Sequence, residues 1–152
     1  MSKKRWRART LVAAVSVMAM LGLAASAQAV TITSAGPTTG LADGDPVNVQ
    51  LSFGMTEVKY AIAQCNDDLA DGLACNNATA IGQVLVSNYP VGGHFLTVNS
   101  PFTNGSLIPK VPPISGTTTC KGKTGSNCAV FVTTYDSSGK FVDSKQFGIL
   151  FS

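Results

Sequence analysis

Apolar and polar side chains alternate with a period of two in several short segments of the chain. "PVNVQLSF" and "VKYAIAQC" both have this pattern, which predicts half-buried β-strands. The apolar positions are Val47, Val49, Leu51 and Phe53 in the first segment and Val58, Tyr60 and Ile62 in the second.

Further short runs rich in β-branched and aromatic residues follow, namely "HFLTV", "CAVFVTTY" and "QFGILF". Turn signals such as Asp43-Gly44 and Asn104-Gly105 separate them, and no segment has a sustained helical period. The pattern predicts an all-β sandwich or barrel in which Tyr60 and Tyr135 are core or cross-strand residues. The span from Phe102 to Asn127 is rich in proline and glycine, so we expect a long surface excursion there. A linker between domains is the alternative.

The first 29 residues have the composition of a secretory signal peptide. Five basic residues precede an apolar run from Leu11 to Ala25, and Ala27-Gln28-Ala29 follows as a small-x-small cleavage site. The alternative, an uncleaved membrane anchor, requires about 20 apolar residues. We therefore expect residues 1–29 to be removed, leaving one secreted domain over residues 30–152 that has no membrane attachment.

Removal of this segment reverses the net charge. The whole chain carries +3, but five of its eleven Lys and Arg residues lie in the first 29 positions. Six lysines then face eight acids, a net charge of −2. A protein that grips a nucleic-acid backbone needs a basic face, so direct DNA binding is not expected.

Four cysteines in an exported chain of this size predict two disulfides, with three possible connectivities. The sequence separations of ten and eight suit two hairpin-closing bonds, Cys65–Cys75 and Cys120–Cys128. Neither separation fits a zinc site or a redox C-x-x-C pair. The acidic loop "DDLADG" lacks the ligand pattern of an EF-hand, so no metal is expected.

The inventory of catalytic groups is small. His94 is the single histidine and lies within a strand-like run, which favours a structural residue at a sheet edge. The only clustered carboxylates, Asp67, Asp68 and Asp71, share one loop, whereas a hydrolytic pair faces across a cleft. We expect no catalytic residues, no required cofactor and no enzymatic activity.

Several stretches resemble the neocarzinostatin family of secreted enediyne chromoprotein apoproteins. The matching segments are "AGPTTGLADGDPVNV", "QCNDDLADGLACN", "LTVNSPF", "CAVFVTTYDSSG" and the terminal "GILFS". The most specific element is the pattern Q-C-x9-C-N from Gln64 to Asn76. The resemblance covers essentially all of residues 30–152.

The resemblance implies a seven-stranded immunoglobulin-like sandwich with an extra two-stranded ribbon. Between sandwich and ribbon, the family has an apolar cleft that holds a labile enediyne, and the released chromophore cleaves DNA. It therefore implies a monomeric carrier whose partner is a small hydrophobic ligand, and whose contact with DNA is only through that ligand. Such a site needs apolar walls and a few polar anchors.

Carried over by motif, the Cys65–Cys75 disulfide would form the cleft floor beside Leu73. Phe102 would match a cleft phenylalanine, and a polar wall would follow the last cysteine. The ligand-binding set implied by the resemblance is Cys65, Leu73, Cys75, Ile81, Phe102, Thr133, Thr134 and Asp136.

Two departures from the family's pattern reduce the aromatic character of the cleft. Asp67 stands where an aromatic residue is expected, and Ala80 or Ile81 replaces a loop phenylalanine. These departures motivate an alternative function, a secreted immunoglobulin-like interaction or cell-envelope module that has lost chromophore binding.

Overall fold

The computed structural model describes residues 29–66, 73–107, 114–120 and 128–152 of the 152-residue chain. Almost all regular structure in these ranges is β, and the predicted all-β class is confirmed. None of the described helical structure is long and apolar enough for a membrane span. The strands are β1 (Thr31–Gly36), β2 (Asp45–Ser52), β3 (Lys59–Asn66), β4 (Cys75–Asn76), β5 (Ile81–Leu85), β6 (His94–Val98), β7 (Phe102–Gly105), β8 (Thr117–Thr118), β9 (Cys128–Tyr135) and β10 (Phe141–Ile149), with one 3-10 turn at Val86–Asn88.

The strands form two antiparallel layers and a short ribbon. One layer has the order β1-β2-β6, and the other runs β10-β9-β3. β3 pairs with β5 over its first half and with β4 at Cys65, and β4 in turn pairs with β7. With β5 counted in the second layer, the architecture is a seven-stranded sandwich with a β4–β7 ribbon at one edge, as predicted.

The main core lies between the two layers. Val47 and Val49 of β2 are fully buried, and they belong to the same apolar cluster as Ile62, Val130 and Val132 from the opposite layer. Since alternate residues of a strand point to opposite faces, one apolar side chain in two is enough to build this core. The period-two interpretation of β2 is confirmed.

The chain between β2 and β3 departs from the predicted strand pattern. Val58 is 37% exposed and precedes β3, which begins at Lys59. Its amide donates to the carbonyl of Tyr135, and its own carbonyl accepts from Val86. The assignment of Val58 to the buried face with Tyr60 and Ile62 is therefore wrong. Its backbone is hydrogen-bonded to Tyr135 and Val86, but its side chain faces solvent.

β3 and β9 carry a second apolar face on the side away from the main core. Every residue of β9 is buried, so its sequence has no alternation to reveal its two faces. A second cluster contains residues from both strands and from the segment around β4: Ala63, Cys65, Leu73, Cys75, Ala129 and Phe131. The central strands of the second layer thus have apolar contacts on both sides.

The two disulfides are Cys65–Cys75 and Cys120–Cys128, the predicted pairing. Cys65 and Cys75 are direct cross-strand partners of β3 and β4, with their Cα atoms 3.9 Å apart. This bond holds the segment that contains Leu73 and β4 against the outer face of the second layer. Cys120 joins the main core instead.

The predicted surface excursion from Phe102 to Asn127 contains regular structure. β7 extends the ribbon, and β8 pairs with it at Phe102–Thr118 and Thr103–Thr117. The sequence did not predict these two short strands, which form because the disulfide-anchored β4 offers an edge to which β7 can hydrogen-bond.

A buried glutamine side chain connects the ribbon to the sandwich. Gln64 has no exposed surface; its Oε1 accepts hydrogen bonds from the Asn76 amide at 3.1 Å and the Asn99 backbone N–H at 2.9 Å. Its Nε2 donates to the Asn99 carbonyl at 2.6 Å and to Sγ of Cys120 at 3.4 Å. One side chain therefore holds β3, β4 and the end of β6 together beside both disulfides.

We expect Gln64→Met to lower the free energy of unfolding by about 3 kcal/mol. Methionine preserves the volume but leaves the buried polar groups of Asn76 and Asn99 without their partner. Denaturant unfolding followed by circular dichroism measures the loss. The control Gln146→Met alters an exposed residue of β10, and an equal effect in both variants would contradict this role for Gln64.

Candidate functional site

A cleft of about 240 Å³ opens on the outer face of the second layer, next to the ribbon. Its walls come from β3, β5, the end of β7 and the end of β9, together with the segment that joins β4 to β5. The lining residues are Ala61, Cys75, Asn77, Ala80, Gly82, Gln83, Gly105, Ser106, Leu107 and Tyr135. The cleft borders the second apolar cluster, against which Ala80 and Leu107 pack.

Small side chains create the space. An ideal Cβ built on Gly82 meets no atom within 4 Å, so this glycine leaves part of the cleft open. Gly105 has a different role, because a Cβ there would lie 2.7 Å from Cβ of Asn77. That glycine allows β7 to approach the segment after β4, which brings the ribbon close to the sheet.

Tyr135 is the one aromatic side chain among the described residues that line the cleft. Its hydroxyl donates to the Leu107 carbonyl at 3.1 Å and lies 3.1 Å from Oγ1 of Thr133. The tyrosine is almost fully buried and fixed at both contacts, so it presents a rigid edge to the cleft.

The described part of the cleft carries no charged side chain. None of the described residues lining it is acidic or basic, and their polar groups are the side chains of Asn77, Gln83 and Ser106 and the Tyr135 hydroxyl. Neutral amides and hydroxyls orient a ligand through hydrogen bonds without selecting for charge. The arrangement therefore fits an uncharged, mainly apolar molecule.

Four of the predicted ligand-binding residues lie on this side of the second layer. Cys65, Leu73 and Cys75 belong to the outer cluster, and Cys75 also lines the cleft. Thr133 lies on the same face of β9 as Tyr135, to which it is hydrogen-bonded. Ligand contact by these residues stays a prediction.

Three other members of the predicted set face the main core or pack against it. Phe102 is buried in the main cluster, and Ile81 packs against that cluster opposite Ile62. Thr134 donates from Oγ1 to Oε1 of Glu57 at 2.9 Å, on the face opposite Thr133. None of the three is among the described residues that line the cleft, and ligand contact by them stays a prediction.

Asp136 belongs to the turn between β9 and β10. Its Oδ1 accepts hydrogen bonds from the backbone N–H groups of Ser138 and Lys140 and from the Ser138 hydroxyl. The Ser138 hydroxyl contributes most to lowering the pKa of Asp136, followed by the Lys140 amide. The carboxylate therefore closes a turn, and its contact with a ligand stays a prediction.

The sequence analysis named two positions at which the resemblance implies an aromatic residue, and the structure describes only one of them. Ala80 lines the cleft, whereas Ile81 packs against the main core. Asp67, like Asp68 and Asp71, lies outside the described residues.

Residues that the sequence analysis did not assign to the site include Ala61 and Tyr135. Tyr135 was interpreted as a core or cross-strand residue, yet it lines the cleft. The spacing by two of Ala129, Phe131, Thr133 and Tyr135 along β9 places them on one face, but the sequence does not show which face is the outer one.

His94 contacts two tyrosine side chains, Tyr60 and Tyr89. It lies on β6, the edge strand of the first layer, and its Nε2 is hydrogen-bonded to the hydroxyl of Tyr60. The rings of Tyr60 and Tyr89 lie 5.4 and 5.6 Å from its own. Burial lowers the pKa of His94 and is also the main cause of the raised pKa of Tyr60.

In the part of the chain that the structure describes, no group of three or more His, Cys, Asp or Glu residues could hold a metal ion.

Comparison with known proteins agrees with this architecture. A model of the neocarzinostatin family matches residues 33–140, which is more than half of the chain, and the chain belongs to that family. Among solved structures, it is similar to macromomycin, with 21% identity and a TM-score of 0.55, and to apokedarcidin, with 25% identity and a TM-score of 0.53. Each match covers 82% of this chain and all of the other. A search of the curated proteins found no match.

We expect the stability contributed by neutral His94 to be lost as the pH falls below about 6.5. Because burial lowers the pKa of His94 in the folded protein, the unfolded chain takes up the proton first. As the pH falls below about 6.5, the free energy of unfolding of the wild type should therefore decrease relative to that of His94→Gln. Denaturant titrations at several pH values measure this difference, and parallel profiles for the two proteins would contradict it.

Proposed function

We propose that this protein is a secreted carrier that binds a small hydrophobic, enediyne-like molecule in the cleft between the sandwich and the ribbon, and protects it. The chain itself has no catalytic role in this proposal. Any antibacterial or DNA-damaging activity belongs to the released ligand. The protein acts as a monomer and contacts DNA only through that ligand.

The observation that carries the proposal is the second apolar face of β3 and β9 beside an open cleft. A sheet that packs only one face on a core normally has polar residues on the other. Here the outer face has Ala63, Ala129 and Phe131, and the adjacent cleft is lined by Ala61 and Leu107. An apolar ligand in this cleft would be removed from water, at roughly 25 cal/mol per Å² of apolar surface buried.

Family membership supports the ligand class. The neocarzinostatin family consists of apoproteins that carry enediyne chromophores, as the resemblance in the sequence also implied. The neutral polar groups of Asn77, Gln83 and Ser106 are suited to the hydroxyl and carbonyl groups that such a molecule presents. The −2 charge of residues 30–152 is consistent with a protein that does not bind DNA itself.

The size of the cleft supports a second candidate, the immunoglobulin-like interaction or envelope module. A volume of about 240 Å³ is below the roughly 300–1,000 Å³ of typical ligand pockets. The single aromatic residue in the described wall also gives less stacking than an extended chromophore would use. This candidate predicts a folded protein that has no affinity for apolar compounds.

Native mass spectrometry of the protein purified from its producer tests which candidate is correct. The carrier proposal predicts a complex with an additional small mass that dissociates with organic solvent. Protein that is wholly unliganded, and that also fails to bind phenanthrene in a fluorescence titration, would contradict the carrier proposal and favour the interaction module.

We expect Gly82→Leu to weaken phenanthrene binding at least about tenfold, a loss of about 1.4 kcal/mol. The new side chain enters space that is empty in the native protein, so the fold should persist with little change in thermal stability. Fluorescence titration measures the dissociation constant. Thr97→Leu, which adds the same side chain to an exposed position on β6 in the other layer, is the matched control. Equal affinities for the two variants would show that the cleft is not the binding site.

A further inference from the structure

Glu57 is a buried carboxylate whose hydrogen-bond donors among the described residues are all neutral. Its side chain is 4% exposed. Oε1 accepts from the backbone nitrogen of Val30 at 2.8 Å and from the Thr134 hydroxyl at 2.9 Å, and Oε2 accepts from the Gly54 amide at 2.6 Å. Buried carboxylates in proteins are normally paired with a cation.

No side-chain cation within the described ranges serves this carboxylate. Lys145 lines the same surface depression as Val30, but its ammonium group lies 2.9 Å from Oδ2 of Asp143. The contacts of Glu57 are instead made to the start of the domain, to the turn after β2 and to β9. Among the described residues, the backbone nitrogen of Val30 is the donor to Glu57 that processing of the chain would convert into a cation.

The nitrogen of Val30 lies at the boundary between buried and exposed chain. Val30 is completely buried in the main core, whereas Ala29 is exposed and β1 begins at Thr31. The sequence Ala27-Gln28-Ala29 independently predicts cleavage after Ala29. The backbone nitrogen that donates to Glu57 is therefore the nitrogen of the peptide bond predicted to be cleaved.

We propose that cleavage after Ala29 creates a buried ion pair between the new α-ammonium group of Val30 and the carboxylate of Glu57. A signal peptidase hydrolyses the Ala29–Val30 amide with one water molecule. The Ala29 carbonyl carbon gains the hydroxyl oxygen and leaves as a carboxylate, and the Val30 nitrogen gains two protons to become –NH₃⁺. The charge balances, and no oxidant or further reactant is needed.

The ion pair ties the two layers of the sandwich together. Val30 leads into β1 of the first layer, and Thr134, the other donor to Oε1, belongs to β9 of the second. A charged donor in place of a neutral amide strengthens the contact, because charge-assisted hydrogen bonds are roughly twice as strong. The depression beside Val30, lined by Thr31, Ser52 and Phe53 among others, gives water access to the remaining ammonium hydrogens. Processing would therefore stabilise the exported protein, independently of any ligand.

The first test is the identity and reactivity of the mature N-terminus. The full chain is secreted from a bacterial host and its mature mass is determined. We expect a chain that begins at Val30 and whose α-amine undergoes reductive methylation at least about tenfold more slowly than in a variant with Ser-Gly inserted between Ala29 and Val30. A mature chain that begins elsewhere, or an α-amine that reacts equally fast in both proteins, would overturn the proposal.

The second test is a double-mutant cycle between this insertion and Glu57→Gln. The insertion moves the ammonium group away while an amide stays at Val30. We expect it to lower the folding equilibrium constant at least about tenfold with Glu57 present, and less than about twofold in the Glu57→Gln protein. In the control Asp143→Asn, which removes a different carboxylate, the insertion should have its full effect.

Equal effects of the insertion in the wild-type and Glu57→Gln backgrounds would overturn the ion pair. Because this proposal rests on the secretion included in the proposed function, the mature mass separates the two failures. A chain cut after Ala29 that has no coupling to Glu57 refutes the ion pair and leaves secretion intact. An uncut chain refutes both.

Discussion

The pairing of Cys65 with Cys75, beside the amide contact between Gln64 and Asn76, is the constraint on which the cleft depends. These adjacent contacts hold β4 in register with the end of β3, on the side of the sheet away from the main core. The disulfide restricts the unfolded chain, and the buried amides penalise any other register because they would lose their partners. The Q-C-x9-C-N pattern is therefore a structural unit, because its two cysteines form the disulfide and its terminal Gln64 and Asn76 are hydrogen-bonded to each other.

Once β4 is held there, the ribbon and the cleft follow. β7 pairs with the edge of β4, and Gly105 allows that edge to approach Asn77. The hydroxyl of Tyr135 bonds to Leu107 just beyond β7, which fixes the cleft wall to the sheet. The space that remains is formed by residues too small to fill it. A cavity of this kind arises from close backbone approach combined with missing side-chain volume, rather than from an opening of the sandwich.

Much of the fold was predictable from the sequence, but the faces of the strands near the site were not. β2 alternates clearly, so Val47 and Val49 were placed correctly. β9 is buried on both faces, and its sequence does not say which of the neighbours Thr133 and Thr134 faces outward. Phe102 and Ile81 were assigned by position in a motif, although their orientation is set by pairing with distant strands. The burial of Gln64 has no local signal, because a lone polar residue in a strand usually faces solvent.

Methyl NMR of alanine-labelled protein tests whether the outer face of β3 and β9 receives an apolar ligand. On addition of an apolar polycyclic compound, we expect saturable shifts at Ala61 and Ala80, which line the cleft. Ala35 on β1 and the exposed Ala42 should not move. Shifts that are largest at Ala35 or Ala42, or no saturable change at any methyl, would contradict it.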